Sequence, residues 1–239
     1  MYGWRSRIGL IVPSGNIVME NEFYKILSKI DGVSVHTTRI LLESGSLEDL
    51  LKMKEGLLRA ARELESARVS IIVYGCTSGS FAKGLDFDKE IIKEIEEETH
   101  IKATTTSTAV VEALKRLKVK NIAVGTPYSD DVNEKEKEFL RANGFSVTTI
   151  VGLNIIPIFN QGLQEPYVAY NLGKRIDSNK AECIFISCTD IRAVEIIDSL
   201  ERRLRKPVIS SNLATLWYVL KLEQLNLSLK GYGKLLEEY

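Results

Sequence analysis

The sequence predicts an α/β protein built of two pseudo-symmetric, doubly wound halves with parallel sheets and a cleft between them. Strand-like apolar runs alternate with helical patterns along the chain, the order that layers helices against a parallel sheet. Several of those runs are near-continuously apolar, as strands buried on both faces are. Short motifs also recur in the same order. Gly75-Cys76-Thr77-Ser78-Gly79 follows the run Val69 to Tyr74, and Ser187-Cys188-Thr189-Asp190 ends the run from Cys183, an offset of 112 (76 to 188). Arg7-Ile8-Gly9-Leu10-Ile11-Val12-Pro13-Ser14 resembles Asn121-Ile122-Ala123-Val124-Gly125-Thr126-Pro127-Tyr128 at 114 (13 to 127). More loosely, the segment from Thr106 lines up with that from Ser211 at an offset of 105. Each match alone is weak, but three anchors in one order indicate a duplicated unit.

The elements follow from this reading. Strands are expected at Arg7 to Val12, Val33 to Thr37, Val69 to Tyr74, Asn121 to Val124, Ser146 to Val151, Cys183 to Ser187 and Val208 to Ser210. Helices are expected at about Glu20 to Ile30, Leu47 to Ala67, Asp88 to Glu98, Thr108 to Leu117, Asp130 to Asn143, Pro166 to Ser178, Arg192 to Leu204 and Leu213 to Leu222. Ser46-Leu47-Glu48-Asp49 fits a capped helix start, and Asn143-Gly144 fits a helix stop. The charge runs Glu94 to Glu98 and Glu134 to Glu138 read as solvated helix faces. No Gly/Ser or Pro-rich linker divides the chain. The expected division is a first half over 1–105, with about 211–239 packing back on it, and a second half over 106–210.

A chain of 239 residues, 44% of them hydrophobic, has ample core for this plan. Its 32 basic and 32 acidic residues balance, which leaves no electrostatic footprint for nucleic acid or an anionic membrane. Apolar runs are strand-sized and the N-terminus carries no signal-peptide core, so a cytoplasmic protein is expected. Three cysteines are too few for a disulfide scaffold and suit reduced thiols. Only His36 and His100 are available, neither near a Cys at zinc-ligand spacing, so no metal is expected.

In open α/β sheets, ligands gather beyond the carboxyl ends of the strands. Ser14-Gly15-Asn16, Cys76-Thr77-Ser78, Pro127-Tyr128 and Cys188-Thr189 all fall at that edge. Such loops offer backbone N–H groups, hydroxyls and helix N-termini, and so suit a small carboxylate without Arg or Lys. A helix N-terminus also lowers a thiol pKa toward the reactive range, and both Cys76 and Cys188 are expected to benefit. The competing reading is that each is a buried small residue. Matching positions in two related halves favour function. Cys183, early in an apolar strand, reads as core. For Asn16, Thr77, Ser78 and Thr189 the competing duty is turn or cap chemistry, and for Tyr128 a packed rim aromatic. Gly9 and Gly15 lack the spacing of a dinucleotide fingerprint, and no phosphate-binding loop, hydrolase elbow or kinase signature is present.

With Val12-Pro13-Ser14-Gly15-Asn16, Tyr74-Gly75-Cys76-Thr77-Ser78-Gly79-Ser80, Gly125-Thr126-Pro127-Tyr128 and Ser187-Cys188-Thr189-Asp190 in hand, the chain resembles the aspartate/glutamate racemase superfamily. Within it the chain looks most like the maleate cis-trans isomerase and arylmalonate decarboxylase branch, over nearly its whole length. The resemblance implies cofactor-independent chemistry between pseudo-symmetric halves, in a homodimer or larger assembly. By motif position it implies Cys76 and Cys188 as catalytic residues, with Ser14, Asn16, Thr77, Ser78, Tyr128 and Thr189 binding the substrate. The implied reaction is isomerisation of maleate or a similar unsaturated dicarboxylate. Cys76 adds to an alkene carbon, Cys188 supplies the proton, and rotation precedes elimination. The decarboxylases carry glycine at the first cysteine position, whereas this chain keeps both cysteines. Amino-acid racemases usually have His where Asp190 stands. Three alternatives stay open: an amino-acid or hydantoin racemase with the same thiol pair, an arylmalonate-type decarboxylase, and a non-catalytic carboxylate-binding protein. The segment Gly152 to Gln164, with Asn154 and Asn160, is long for a plain connection and is expected to cover the cleft mouth.

Overall fold

The computed structural model describes residues 2–238 and contains two four-stranded sheets of the same topology. The first sheet comprises β1 (Ser6–Pro13), β2 (Val33–Ile40), β3 (Ile71–Tyr74) and β4 (Ala103–Thr105) in the order β2-β1-β3-β4. The second comprises β5 (Asn121–Thr126), β6 (Ser146–Gly152), β7 (Cys183–Ile186) and β8 (Val208–Ser210) in the order β6-β5-β7-β8. All neighbouring strands are parallel. The repeated order is the duplication seen in the motifs. Its physical basis is plain in β3 and β7, where every residue is buried and the flanking helices cover both faces.

Helices follow the strands: α1 (Met19–Leu27), α2 (Leu47–Lys52), α3 (Leu57–Ser66), α4 (Thr77–Phe81), α5 (Phe87–Thr99), α6 (Thr106–Arg116), α7 (Asp130–Ala142), α8 (Pro166–Ile176), α9 (Ile197–Leu204), α10 (Ser211–Leu222) and α11 (Lys234–Glu238). The halves meet along α6 and α10, which pack on each other. Each begins directly after the last strand of its sheet. Thr105 Oγ1 accepts the Thr108 N–H at 3.1 Å and Ser210 Oγ accepts the Leu213 N–H at 3.2 Å, so a hydroxyl cap stops each strand and starts each helix. Helix α10 buries Leu213, Leu216, Trp217, Val219 and Leu220, as a helix enclosed on nearly all sides must. One apolar cluster runs through both halves, and a second fills the other face of the first sheet. At the far end of α10, the Glu223 carboxylate accepts hydrogen bonds from Ser6 and Ser70 of the first half.

The structure departs from the expected elements at several places. The helix expected over Leu47 to Ala67 is α2 and α3 joined by a 3₁₀ turn, Met53–Gly56. The helix expected from Arg192 starts only at Ile197, and in the loop before it Ala193 and Val194 direct their N–H groups to the Glu22 carboxylate, both at 3.0 Å. Strand β4 and the short helix α4 were not foreseen. In the run Glu134 to Glu138, expected to be solvated, Glu136 is 1% exposed. No helix among the described residues is long and apolar enough to cross a membrane.

Candidate active site

The loops that follow β1, β3, β5 and β7 converge on one cavity between the halves, and the segment after β6 covers it with Ile158, Phe159 and Gln161. Cys76 and Cys188 both line it. The space left between these side chains is about 30 Å³, room for about one or two waters and far less than a four-carbon dicarboxylate needs. The cover must therefore move for any such ligand to enter.

Cys76 is the N-cap of α4, and its Sγ accepts the Gly79 N–H at 3.3 Å, with Ser78 Oγ 3.8 Å away. These donors favour a thiolate, yet burial pushes the thiol up to about 11. The expected lowering by a helix N-terminus is thus overturned. A five-residue helix offers one N–H, whereas burial strips away most of the water that would solvate the anion. For Cys188 the expected helix N-terminus is absent, since α9 begins at Ile197. Cys188 instead sits at φ +124°, a conformation that L-residues rarely adopt, and its N–H is held by Ser211 Oγ at 3.0 Å. Its Sγ accepts the Asp190 N–H at 3.2 Å and a hydrogen bond from the Tyr128 hydroxyl. The thiol proton is directed at Gln161 Oε1, 3.4 Å away. Burial first, and the nearby Asp190 carboxylate second, raise this thiol well above the ordinary range. Cys183 is wholly buried in β7, as expected of a core residue.

The remaining expected residues divide. Ser78 and Tyr128 line the cavity. Thr77 also lines it, but its Oγ1 donates to Ser211 Oγ at 2.9 Å. Ser211 is thereby shared between Thr77 of one half and the Cys188 backbone of the other. Asn16 Oδ1 accepts the N–H groups of Val18 and Met19, both at 3.0 Å, and Nδ2 donates to Thr189 Oγ1 at 3.0 Å. Thr189 in turn donates to Gly75 O at 3.2 Å. Both residues line the cavity while tying the halves together, so the cap duty weighed as the competing reading is present as well. Ser14 is not among the lining residues; its Oγ accepts the Leu42 N–H at 3.1 Å.

Three site residues escaped the sequence reading: Gln161, Asp190 and Ser211. Asn154 and Asn160 drew attention to the covering segment, but Gln161 is the amide that reaches a thiol. The pairing of Ser211 with the repeat anchor at Thr106 was the available signal. The cavity lining contains no Lys or Arg, so an anion bound there would depend on hydroxyl and N–H dipoles. Among the described residues no group of three or more His, Cys, Asp or Glu is placed to hold a metal.

The fold and these loops have close counterparts. The family model for arylmalonate decarboxylase matches residues 8–236. A maleate isomerase of Pseudomonas putida is 27% identical over 96% of either chain, and the arylmalonate decarboxylase of Bordetella bronchiseptica is 30% identical over 77% of this chain and 78% of its own. Among solved structures, a Pseudomonas putida maleate isomerase with maleate superposes with a TM-score of 0.93 at 26% identity, covering 97% of each chain. The match of one family model to almost the whole chain, over a duplicated parallel fold with paired cysteine loops, places it: the chain belongs to the arylmalonate decarboxylase family, in the branch that also holds the maleate isomerases.

Proposed function

We propose that this protein is a cofactor-independent isomerase that converts maleate, or a closely similar cis-unsaturated dicarboxylate, to its trans isomer. The observation that carries the reading is that two thiols from opposite halves line one cavity in different proton environments. Cys76 Sγ faces hydrogen-bond donors, which suits the nucleophile. Cys188 directs its proton at an acceptor, which suits the acid. The maleate isomerases among its relatives support the choice of substrate.

In this mechanism the thiolate of Cys76 adds to one alkene carbon, and the electron pair of the double bond moves toward the other carbon and its carboxylate. Cys188 donates its proton to that second carbon, leaving a succinyl group on Cys76 with a rotatable single bond. After rotation, Cys188 takes the proton back and the C–S bond breaks, regenerating both cysteines. Ser78, Tyr128, Thr77, Asn16 and Thr189 all line the cavity and are the polar side chains that, in this proposal, hold the substrate carboxylates and the charge that develops on them. Ser14 would act through the Leu42 loop rather than by contact. A homodimer or larger assembly, which rests on the family resemblance, and a cytoplasmic location, which rests on the strand-sized apolar runs of the sequence, belong to the same proposal.

The test is proton NMR of the purified protein with maleate, beside Cys76→Ala and Cys188→Ala. The fumarate vinyl signal is expected with the wild type and with neither variant. No conversion by the wild type would sink the reading, and solvent deuterium appearing at the α-carbon of a chiral amino acid would replace it with racemisation.

A further inference from the structure

Asp190 has no part in the chemistry above, yet it lines the cavity and its charge acts on both thiols. Its Oδ1 accepts the Ile17 N–H at 2.8 Å, and the backbone N–H groups of Val18 and Gly162 lie close enough to favour the charged carboxyl. The group thus joins three walls: the loop after β1, the Cys188 loop and the cover. The contact with the cover is very close. A methyl group on Gly162 would lie 2.7 Å from Oδ1, 3.0 Å from Oδ2 and 2.6 Å from Ile17 Cγ1. Glycine at 162 therefore lets the cover shut down onto the carboxyl, and shutting takes that carboxyl out of water.

The charged and titratable groups around Asp190 do little to compensate. From β2 comes Arg39, whose guanidinium is already bonded to the Ser14 and Asn16 carbonyls and to the Glu20 carboxylate of α1. From the two cysteine loops come the thiols of Cys76 and Cys188, whose ionised forms would repel it. The cover, residues 153–164, contains no charged side chain. Three N–H donors and a shared Arg are outweighed by burial, and the carboxyl is raised from 3.8 to about 7.

Resting on the dicarboxylate reading above, we propose that Asp190 couples closing of this site to protonation: the cover closes over it preferentially in its uncharged form, so that enclosing a dianionic substrate takes up protons from water. The linkage has a definite sign. A carboxyl solvated in the open state and buried in the closed one binds its proton more tightly on closing, so a rising pH favours opening. Two substrate carboxylates in the same cavity strengthen the preference for the acid form.

Calorimetric titration with succinate, which has no double bond to isomerise, counts the protons in buffers of different ionisation enthalpy. At pH 7 the wild type is expected to take up a clear fraction of a proton per succinate, and Asp190→Asn none. Asp190→Ala should lose the uptake too, so a defect peculiar to the amide does not decide the matter. No uptake by the wild type, or equal uptake by the variants, overturns the proposal. A second measurement needs no ligand: hydrogen exchange of residues 153–164. The cover should be better protected in Asp190→Asn than in the wild type, with the gap widening at least about tenfold from pH 5.5 to pH 8. A gap that stays constant with pH refutes the role of Asp190. If succinate does not bind while the gap widens, the dicarboxylate reading fails and the coupling of Asp190 to the cover stands.

Discussion

Glu136 is a carboxyl group in a place that disfavours its charge, and replacing it should change how stability depends on pH. It lies on α7, wholly buried; Oε1 accepts the Ser187 hydroxyl at 2.5 Å and Oε2 has no partner. The neighbouring lysines are committed elsewhere, Lys135 to Glu138 and Lys137 to Glu134. Burial accordingly raises the acid from 4.5 to about 8. In the unfolded chain the group ionises near 4.5, in the folded one near 8. Between those values the folded state holds a proton that the unfolded state has lost. The stability it contributes is fully present below pH 4.5 and is lost as pH rises toward 8, at ~1.4 kcal/mol per pH unit. From pH 5 to pH 7 this amounts to roughly 3 kcal/mol from one side chain. Glu136→Gln keeps the shape and cannot ionise. It also leaves one polar atom unpaired, but at a cost that does not vary with pH. Urea unfolding of both proteins at pH 5, 6, 7 and 8 isolates the group, because the other buried acids, Glu22 and Asp190, are common to both. The wild type should lose stability relative to the variant by about 1 kcal/mol or more per pH unit. Parallel pH dependences would refute the reasoning.

Two further outcomes are expected. Glu22→Ala removes the acceptor for the N–H groups of Ala193 and Val194 and for Asn212 Nδ2, three buried donors that link α1 to the second half. It should destabilise the protein by about 3 kcal/mol or more, seen as a lower urea midpoint with an unchanged slope. In the ligand-free protein, alkylation of Cys76 by iodoacetamide, located by mass spectrometry, should be slow at pH 7 and accelerate nearly tenfold per pH unit up to about pH 10, because the thiol is raised to about 11. A rate that levels off near pH 8 would mean that burial does not raise the thiol.

The parallel strands were legible because a strand buried on both faces has to be apolar, and β1, β3, β5 and β7 are. Strand β4 was not, because Ala103-Thr104-Thr105 is short and pairs with β3 through backbone alone. The end of the Arg192 pattern was hidden for a different reason. Its helical periodicity is real, but the segment is tied by its Ala193 and Val194 N–H groups to Glu22, 171 residues before Ala193, a contact that no local pattern records. Glu136 looked like one charge among several on a solvated helix. Only the position of Ser187 against α7 makes it an interior residue.

The same distinction explains what the sequence could and could not say about the thiols. Their pairing is a property of the repeat, and the repeat is written in the motifs. Their acidity depends on how completely the second half and the cover exclude water from the first, which no local motif records. The expected helix N-terminus would have made a thiolate the resting state. Burial makes it a state that the covered cavity disfavours, for both cysteines. Reactivity in such a site has to arise with the opening that admits substrate, when water reaches Sγ of Cys76 and its proton can leave. In the proposed mechanism, closing then returns Cys188 to the dry environment in which it keeps its proton for its role as the acid. On that mechanism one segment, residues 153–164, thus governs both the entry of substrate and the division of labour between two thiols whose hydrogen-bond partners already differ.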